Sequence, residues 1–243
     1  MYQVNPRVFA PDHSFLAVAE QLDKIKDLGV NVVWFMPIYE IGQLNSVNSP
    51  YCIKDYTGVN PEFGTVEEFK YAVAECHKRG MSVIIDWVAN HTSWDNAWIE
   101  NKDWYTQDEE GNIISPAGTG WLDVADLNFD NPEMCQAMID AMKFWVLEVG
   151  IDGFRCDAGY MIPAETWEYI VAKVREEYPD TIFMLEGLGG KLEVTDALLA
   201  EANLDWAYSE IFQTYDRGQF ESYLPGAIVR SEKFGTLVHF AET

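Results

Sequence analysis

Two carboxylates close two short apolar runs of the chain. Asp157 ends the run that begins at Ile151, and Glu186 ends the run that begins at Thr181. Each run is typical of an inner strand, which places each acid at a carboxyl end, where parallel α/β sheets gather their catalytic residues. Two acids that neighbouring strands deliver to one edge suit glycoside cleavage. One attacks or stabilises the sugar cation, and the other protonates the leaving oxygen.

Other polar residues follow the predicted strand ends. Asp86 ends a third apolar run, and Asn90 and His91 come shortly after it. Arg155 lies two residues before Asp157, so on a strand both side chains face the same side. A guanidinium there would stabilise the ionised form of Asp157. Glu186 must instead be protonated when a substrate arrives, so we expect its surroundings to raise its pKa.

The elements that must position these residues repeat as helix, glycine and apolar strand. Predicted helices at 16–28, 66–79 and 134–149 are each followed by a glycine and then by a strand, at 31–37, 81–86 and 151–157. A glycine directly after a helix supplies the left-handed residue that ends it. Strands that are apolar throughout indicate a parallel sheet buried on both faces.

The pattern continues to the end of the chain. It predicts helices at 164–178 and 192–202, a helix starting within 216–223, and strands at 181–185, 205–208 and 235–240. With 2–9 as the first strand, seven strands alternate with helices. The fold class is therefore α/β, and a TIM-type (β/α)₈ barrel with about seven strands fits best. An open doubly wound sheet is the alternative, although Asn5-Pro6-Arg7 stands where a dinucleotide fold has its glycine-rich loop.

One connection is too long for a turn. Residues 91–131 follow the third strand and contain several tryptophans, and loops of this length are usually functional or form a subdomain. We expect one catalytic domain over 1–243, incomplete at its C-terminus, with 91–131 as an inserted loop or small subdomain. Residues 38–64, after the second strand, form another long loop.

Composition limits the partners. The 243 residues include 16 Lys and Arg against 40 Asp and Glu, a formal net charge of −24, which argues against nucleic acid and anionic membranes. Neither a signal peptide nor a transmembrane run is visible, so we expect a soluble protein, whose compartment the sequence does not indicate. The four cysteines show no metal-binding spacing and read as free buried thiols.

Three segments carry a family resemblance. Asp86-Trp87-Val88-Ala89-Asn90-His91, Gly153-Phe154-Arg155-Cys156-Asp157 and Glu186 resemble the first three sequence motifs of the α-amylase family, glycoside hydrolase family 13, in order, spacing and placement. The resemblance implies that Asp157 is the nucleophile and that Glu186 is the general acid and later the base. It further implies sugar-binding roles for His91, Arg155 and Tyr51, and a structural acid at Asp86.

The implied activity is that of a retaining glycoside hydrolase. It would cleave α-glucosidic bonds in starch, glycogen or maltooligosaccharides through a covalent glycosyl-enzyme. Two alternatives remain: a transglycosylase or sugar isomerase of the same family, and a non-catalytic barrel with a binding or assembly role. Relatives of the last kind lack the acids that stand here at Asp157 and Glu186.

The resemblance also implies a structural calcium ion. Asn90 and Asp126 occupy the positions of two ligands, and Ca²⁺ prefers oxygen ligands from separate loops. Classical α-amylases have a Lys-His pair after the nucleophile, and the backbone of that histidine joins the calcium shell. This chain instead reads Ala158-Gly159-Tyr160-Met161 after Asp157, so it departs from the family pattern at this calcium ligand.

The family has a third acid, an Asp in a segment like Phe-x-x-Asn-His-Asp after the seventh strand. Here the chain reads Val238-His239-Phe240-Ala241-Glu242-Thr243, and Glu242 falls two or three positions early. We therefore expect the third acid to lie beyond the given sequence, and this chain alone to be weakly active or inactive. Its open sheet edges would need the missing part of the barrel or an oligomeric contact.

Overall fold

The computed structural model describes residues 1–208 and 216–239. The strands are β1 Tyr2–Val4, β2 Val32–Phe35, β3 Ser82–Trp87, β4 His91–Ser93, β5 Val124–Asp126, β6 Gly153–Cys156, β7 Ile182–Glu186, β8 Trp206–Tyr208 and β9 Thr236–Leu237. The α-helices are α1 Pro6–Phe9, α2 Ser14–Asp27, α3 Val66–Lys78, α4 Pro132–Phe144, α5 Ala164–Arg175, α6 Leu192–Ala200 and α7 Arg217–Phe234.

Seven strands form one curled parallel sheet in chain order, β1-β2-β3-β6-β7-β8-β9. Helices separate successive strands, as in the predicted (β/α) barrel, and the predicted fold class is confirmed. The remaining two strands, β4 and β5, pair antiparallel with each other within residues 91–131. Because all seven strands of the large sheet run the same way, their carboxyl ends lie along one edge, where Asp157 and Glu186 stand.

The predicted first strand, 2–9, is wrong beyond Val4. The side chain of Asn5 accepts a hydrogen bond from the backbone N–H of Arg7, and Pro6 occupies the first position of the short helix α1. Asparagine is a favoured N-cap, and proline fits the first helical turn because it lacks an N–H that would have no partner there. A local cap therefore ends β1 after three residues.

The other predicted boundaries shift by a few residues. The predicted strand 235–240 shortens to β9, while Phe240 and Glu242 lie outside the described residues. The predicted helix 134–149 begins earlier, at Pro132, capped by Asn131, and its last turn, Trp145–Val149, widens into a π-helix before Gly150. Gly80 and Gly150 both adopt left-handed backbone angles after their helices, as the helix-glycine-strand pattern predicts.

Two aspartates fasten the amino edge of the sheet. Oδ2 of Asp152, just before β6, accepts the N–H of Val83 at 2.6 Å, and Oδ2 of Asp205, just before β8, accepts the N–H of Phe183 at 2.8 Å. Arg175 pairs with the same oxygen of Asp205 at 2.6 Å. These contacts satisfy strand N–H groups at the edge opposite the catalytic candidates and fix the register of neighbouring strands.

The sheet separates two apolar regions. The larger lies between the sheet and the helices and takes up Val33 and Phe35 of β2. Residues of the opposite sheet face, Val32 and Trp34 among them, pack with Ile84, Met184 and Tyr208 on the inner side. Side chains along a strand alternate between its two faces, so one short strand supplies both regions. The four cysteines are buried and free, as predicted.

None of the helices within 1–208 and 216–239 combines the length and the apolar character needed to cross a bilayer.

Candidate active site

Arg155 joins three carboxylates on the inner face of the sheet. Its Nη1 donates to Oδ1 of Asp86 at 2.7 Å and to Oδ1 of Asp157 at 2.5 Å, while its Nη2 lies 3.2 Å from Oε2 of Glu186. Arg155 is only 5 % exposed, Asp157 8 % and Asp86 0 %. Acids from the ends of β3, β6 and β7 therefore share one buried cation, as the sequence predicts for Arg155 and Asp157.

Two aromatic side chains that the sequence analysis did not name hold this arginine. Nε of Arg155 donates to the hydroxyl of Tyr208 at 2.6 Å, and the guanidinium carbon lies 5.0 Å from the centre of the Trp34 ring. The indole N–H of Trp34 donates to Oδ2 of Asp86 at 3.3 Å. Tyr208 of β8 pairs in register with Glu186 of β7. An aromatic residue at the end of the strand next to Glu186 was therefore the sequence signal for a residue of this site.

Burial raises the pKa of both Asp157 and Glu186, and the charge of Arg155 opposes that rise in each. The sequence predicts that the guanidinium keeps Asp157 ionised, but desolvation has the larger effect and the pKa of Asp157 is raised. The interaction between the two carboxyls lowers the pKa of Asp157 and raises that of Glu186. Of the two carboxyls, this interaction favours the charged form of Asp157 and the neutral form of Glu186.

Glu186 has a fixed backbone donor as well. Its Oε2 accepts the N–H of Ala158 at 2.8 Å. Ala158 follows Asp157 and lies in the left-handed backbone region, with φ 43° and ψ 33°. Alanine, unlike glycine, has a β-carbon that disfavours this region. Such a conformation costs on the order of 1–2 kcal/mol for a residue other than glycine. The strained turn directs the N–H of Ala158 at the carboxylate of the neighbouring strand.

A cavity of about 450 Å³ opens over these carboxyl groups. Its walls include Asp157, Glu186 and Arg155, together with Tyr51 from the loop after β2 and His91 from β4. Burial lowers the pKa of His91 to about 4, so its imidazole is neutral at pH 7. Trp121, Asp123 and Tyr160 also line the cavity, and the sequence analysis assigned none of them to a site.

A family model described as the alpha amylase catalytic domain matches residues 15–116 and 119–217 of this chain. The chain belongs to the α-amylase family. This match confirms the resemblance that the sequence motifs indicate. The curled parallel sheet is the part of the α-amylase barrel that carries those motifs.

Curated relatives in the α-amylase family are about one third identical to this chain over the aligned residues. A trehalose synthase from Pimelobacter sp. is 33 % identical over 224 residues, which covers 71 % of this chain and 37 % of the relative. An oligo-1,6-glucosidase from Parageobacillus thermoglucosidasius is 33 % identical over 198 residues, 67 % of this chain and 34 % of the relative. The chain thus spans just over a third of the length of these proteins.

A solved structure agrees with the fold. The α-amylase from Lactobacillus plantarum is 32 % identical, with a TM-score of 0.77 over 95 % of this chain and 57 % of that one. The chain thus spans a little over half of the crystallised amylase chain.

The two calcium candidates of this α-amylase-family chain lie close together. Nδ2 of Asn90 is 3.5 Å from Oδ1 of Asp126, because β4 and β5 pair His91 with Asp126. Asn90 thus turns its amide nitrogen toward the carboxylate, whereas Ca²⁺ needs six to eight oxygens. Within 1–208 and 216–239, no group of three or more His, Cys, Asp or Glu side chains is arranged for a metal. These residues fit only part of a calcium shell, and calcium stays a prediction.

Proposed function

We propose that this chain carries the nucleophile and the acid/base residue of a retaining glycosidase site that acts on α-glucosidic bonds. The contact of one guanidinium, Arg155, with both Asp157 and Glu186 supports this most directly. Inverting enzymes hold their two carboxyl groups about 6.5–9.5 Å apart to admit a water molecule between the general base and the sugar, whereas retaining enzymes hold them closer. Two carboxyl groups that pair with one guanidinium lie close to each other, which favours the retaining arrangement.

The residues support a two-step displacement. Asp157 attacks the anomeric carbon and forms a glycosyl ester, while the bond from that carbon to the leaving oxygen breaks and Glu186 gives that oxygen its proton. In the second step Glu186 takes a proton from a water molecule, the water oxygen attacks the anomeric carbon, and the ester bond to Asp157 breaks. Arg155 keeps the Asp157 carboxylate in place by its direct hydrogen bond.

The cavity suits a neutral sugar. Tyr51 and Trp121 offer aromatic surface, and sugar rings pack their C–H faces on such surfaces. Neutral His91 is a hydrogen-bond partner for hydroxyl groups without adding charge. A net charge of −24 would repel a polyanion. Starch, glycogen, maltooligosaccharides and smaller α-glucosides are therefore the substrates we propose.

A transferase or isomerase of the same family is the second candidate. A trehalose synthase and an α-1,4-glucan:maltose-1-phosphate maltosyltransferase are among the relatives, next to glucosidases and amylases. The covalent step is the same in each case, and the acceptor of the second step decides the reaction. Product analysis with and without added glucose separates them, because exclusive release of free reducing ends would exclude a transferase.

The stereochemistry of the product tests the retaining proposal. Proton NMR of the first sugar released from an α-glucoside should show the α-anomer before mutarotation, because two displacements restore the configuration. D157N should abolish this release, while D180N, at an exposed aspartate, should not. Initial appearance of the β-anomer would overturn the assignment of Asp157 as nucleophile.

A further inference from the structure

Tyr160 lies against a pair of glycines on the next loop. It belongs to the turn Gly159–Met161 after Asp157, whereas Gly189 and Gly190 follow Glu186. A β-carbon on Gly190 would lie 2.7 Å from the β-carbon of Tyr160, and one on Gly189 would collide with the Tyr160 hydroxyl. Neither glycine has a left-handed backbone. Glycine is needed at these positions to make room for the tyrosine.

The turn that carries Tyr160 is itself anchored. The indole N–H of Trp167 donates to the carbonyl of Gly159 at 2.9 Å, and the N–H of Met161 donates to the carbonyl of Ala158 at 2.9 Å. Gly159 packs so closely on Leu185 that a β-carbon there would overlap its side chain. The anchored backbone of the turn and the Gly189–Gly190 pair therefore both restrict where the Tyr160 ring can lie.

The location of the Tyr160 ring in the cavity indicates which part of a bound substrate it can contact. Tyr160 lines the cavity next to Glu186 and Asp157 and is only partly buried, so it presents surface there. The charges of both carboxyls add to burial in raising the pKa of its phenol. A general acid must face the oxygen that it protonates, so the departing sugar lies beside Glu186. Tyr160 and the glycine pair flank Glu186, whereas Tyr51 and His91 come from other loops.

We infer that Tyr160, held in place by Gly189 and Gly190, is the platform on which the departing or accepting sugar ring packs. It would then determine specificity for the sugar on the leaving-group side. This inference rests on the proposed function, because only a cleaved glycoside has such a sugar. The ligand class is a hexose with an apolar C–H face, in keeping with the preference of aromatic rings for apolar surface.

Two donors that differ only in their leaving group test the platform. α-Glucosyl fluoride has no departing sugar, whereas maltose, isomaltose and trehalose do. We define the readout as kcat/KM for the disaccharide cleaved fastest, divided by kcat/KM for the fluoride. Y160A should lower this ratio about fivefold to tenfold, the scale of one aromatic contact, while Y160F should keep most of it.

Glycine variants separate the platform from a general structural effect. G190A should lower the ratio as Y160A does, since it displaces the ring, and the double variant should fall no further than Y160A. Y71A, at an exposed tyrosine of α3, and G226A, at a glycine of α7 with open space around it, are matched controls that should leave the ratio as it is.

The outcomes distinguish the two proposals. If D157N removes turnover of the fluoride, the proposed function stands, and a Y160A ratio within twofold of wild type would overturn the platform alone. Equal losses for both donors would also overturn it, because they would assign Tyr160 a role in the site as a whole. Fluoride turnover that persists in D157N would overturn both.

Discussion

At the scale of single residues, the candidate site is a pair of carboxyl groups whose pKa values depend on each other. Asp157 is buried and Glu186 half-buried beside Arg155, and the interaction between the two carboxyls shifts their pKa values in opposite directions. A pair of this kind titrates as a unit in two steps, with one carboxyl charged and the other neutral between them. That intermediate state is the one a retaining glycosidase needs before the substrate is cleaved.

The pH profile should follow from this state. The raised pKa of Glu186 means that kcat/KM falls as pH rises through that pKa, because the acid loses the proton that the leaving oxygen needs. At lower pH, activity falls again as Asp157 becomes protonated. E186Q should lose about 10²–10⁴-fold in disaccharide turnover. Its first step with α-glucosyl fluoride should lose the alkaline limb, since fluoride leaves without a proton. An alkaline limb that persists in E186Q would assign it to another group.

Tyr208 should stabilise the site through Arg155. Y208F removes the acceptor of the 2.6 Å hydrogen bond from Nε, and leaving a buried charged donor without that partner costs about 1–3 kcal/mol. Urea denaturation should show a lower midpoint with an unchanged slope. Y71F, at an exposed tyrosine, is the control. Equal midpoints for Y208F and the wild-type protein would contradict this role.

At the scale of elements, the two edges of the sheet carry different kinds of residues. The carboxyl edge carries the buried acids and the strained Ala158, whereas the amino edge is fastened by Asp152 and Asp205. Such a division is expected of a βα-barrel, where one end holds the chemistry and the other supports stability.

Removing an amino-edge contact should therefore affect stability more than catalysis. D205A deprives the N–H of Phe183 of its acceptor and Arg175 of its ion-pair partner, which should lower the free energy of unfolding by about 1–3 kcal/mol. Chemical denaturation measures this, with D180A as the control at an exposed position. The KM of the folded variant should stay within twofold of wild type. A large change in KM with unchanged stability would contradict the division.

The sequence predicted the order of elements well because each helix-glycine-strand unit is encoded locally. It also placed Asp86, Arg155, Asp157 and Glu186 at one edge, since parallel strands share their carboxyl ends. It missed Trp34, Tyr208 and Tyr160 because their partners are set by the curl of the sheet and by contact between loops. The predicted strand 2–9 was too long because the Asn5 cap and Pro6 start a helix directly after Val4.

At the scale of the whole molecule, charge is the dominant feature. A net charge of −24 on 243 residues repels itself in the folded state, and salt screens that repulsion. Raising NaCl from 10 to 500 mM should therefore raise Tm, by about 2–4 °C for each kcal/mol gained by screening. Scanning calorimetry across that range measures the effect. A Tm that is constant or falls with salt would contradict a destabilising repulsion between the unpaired negative charges.

Trapping the glycosyl-enzyme tests the central claim most directly. The E186Q variant should react with α-glucosyl fluoride but release its product slowly, because the base of the second step is missing. Mass spectrometry of the intact protein should then show one added glucosyl group, and peptide mapping should place it on Asp157. A label on another residue, or a D157N/E186Q double variant labelled to the same extent, would contradict the assignment of Asp157 as nucleophile.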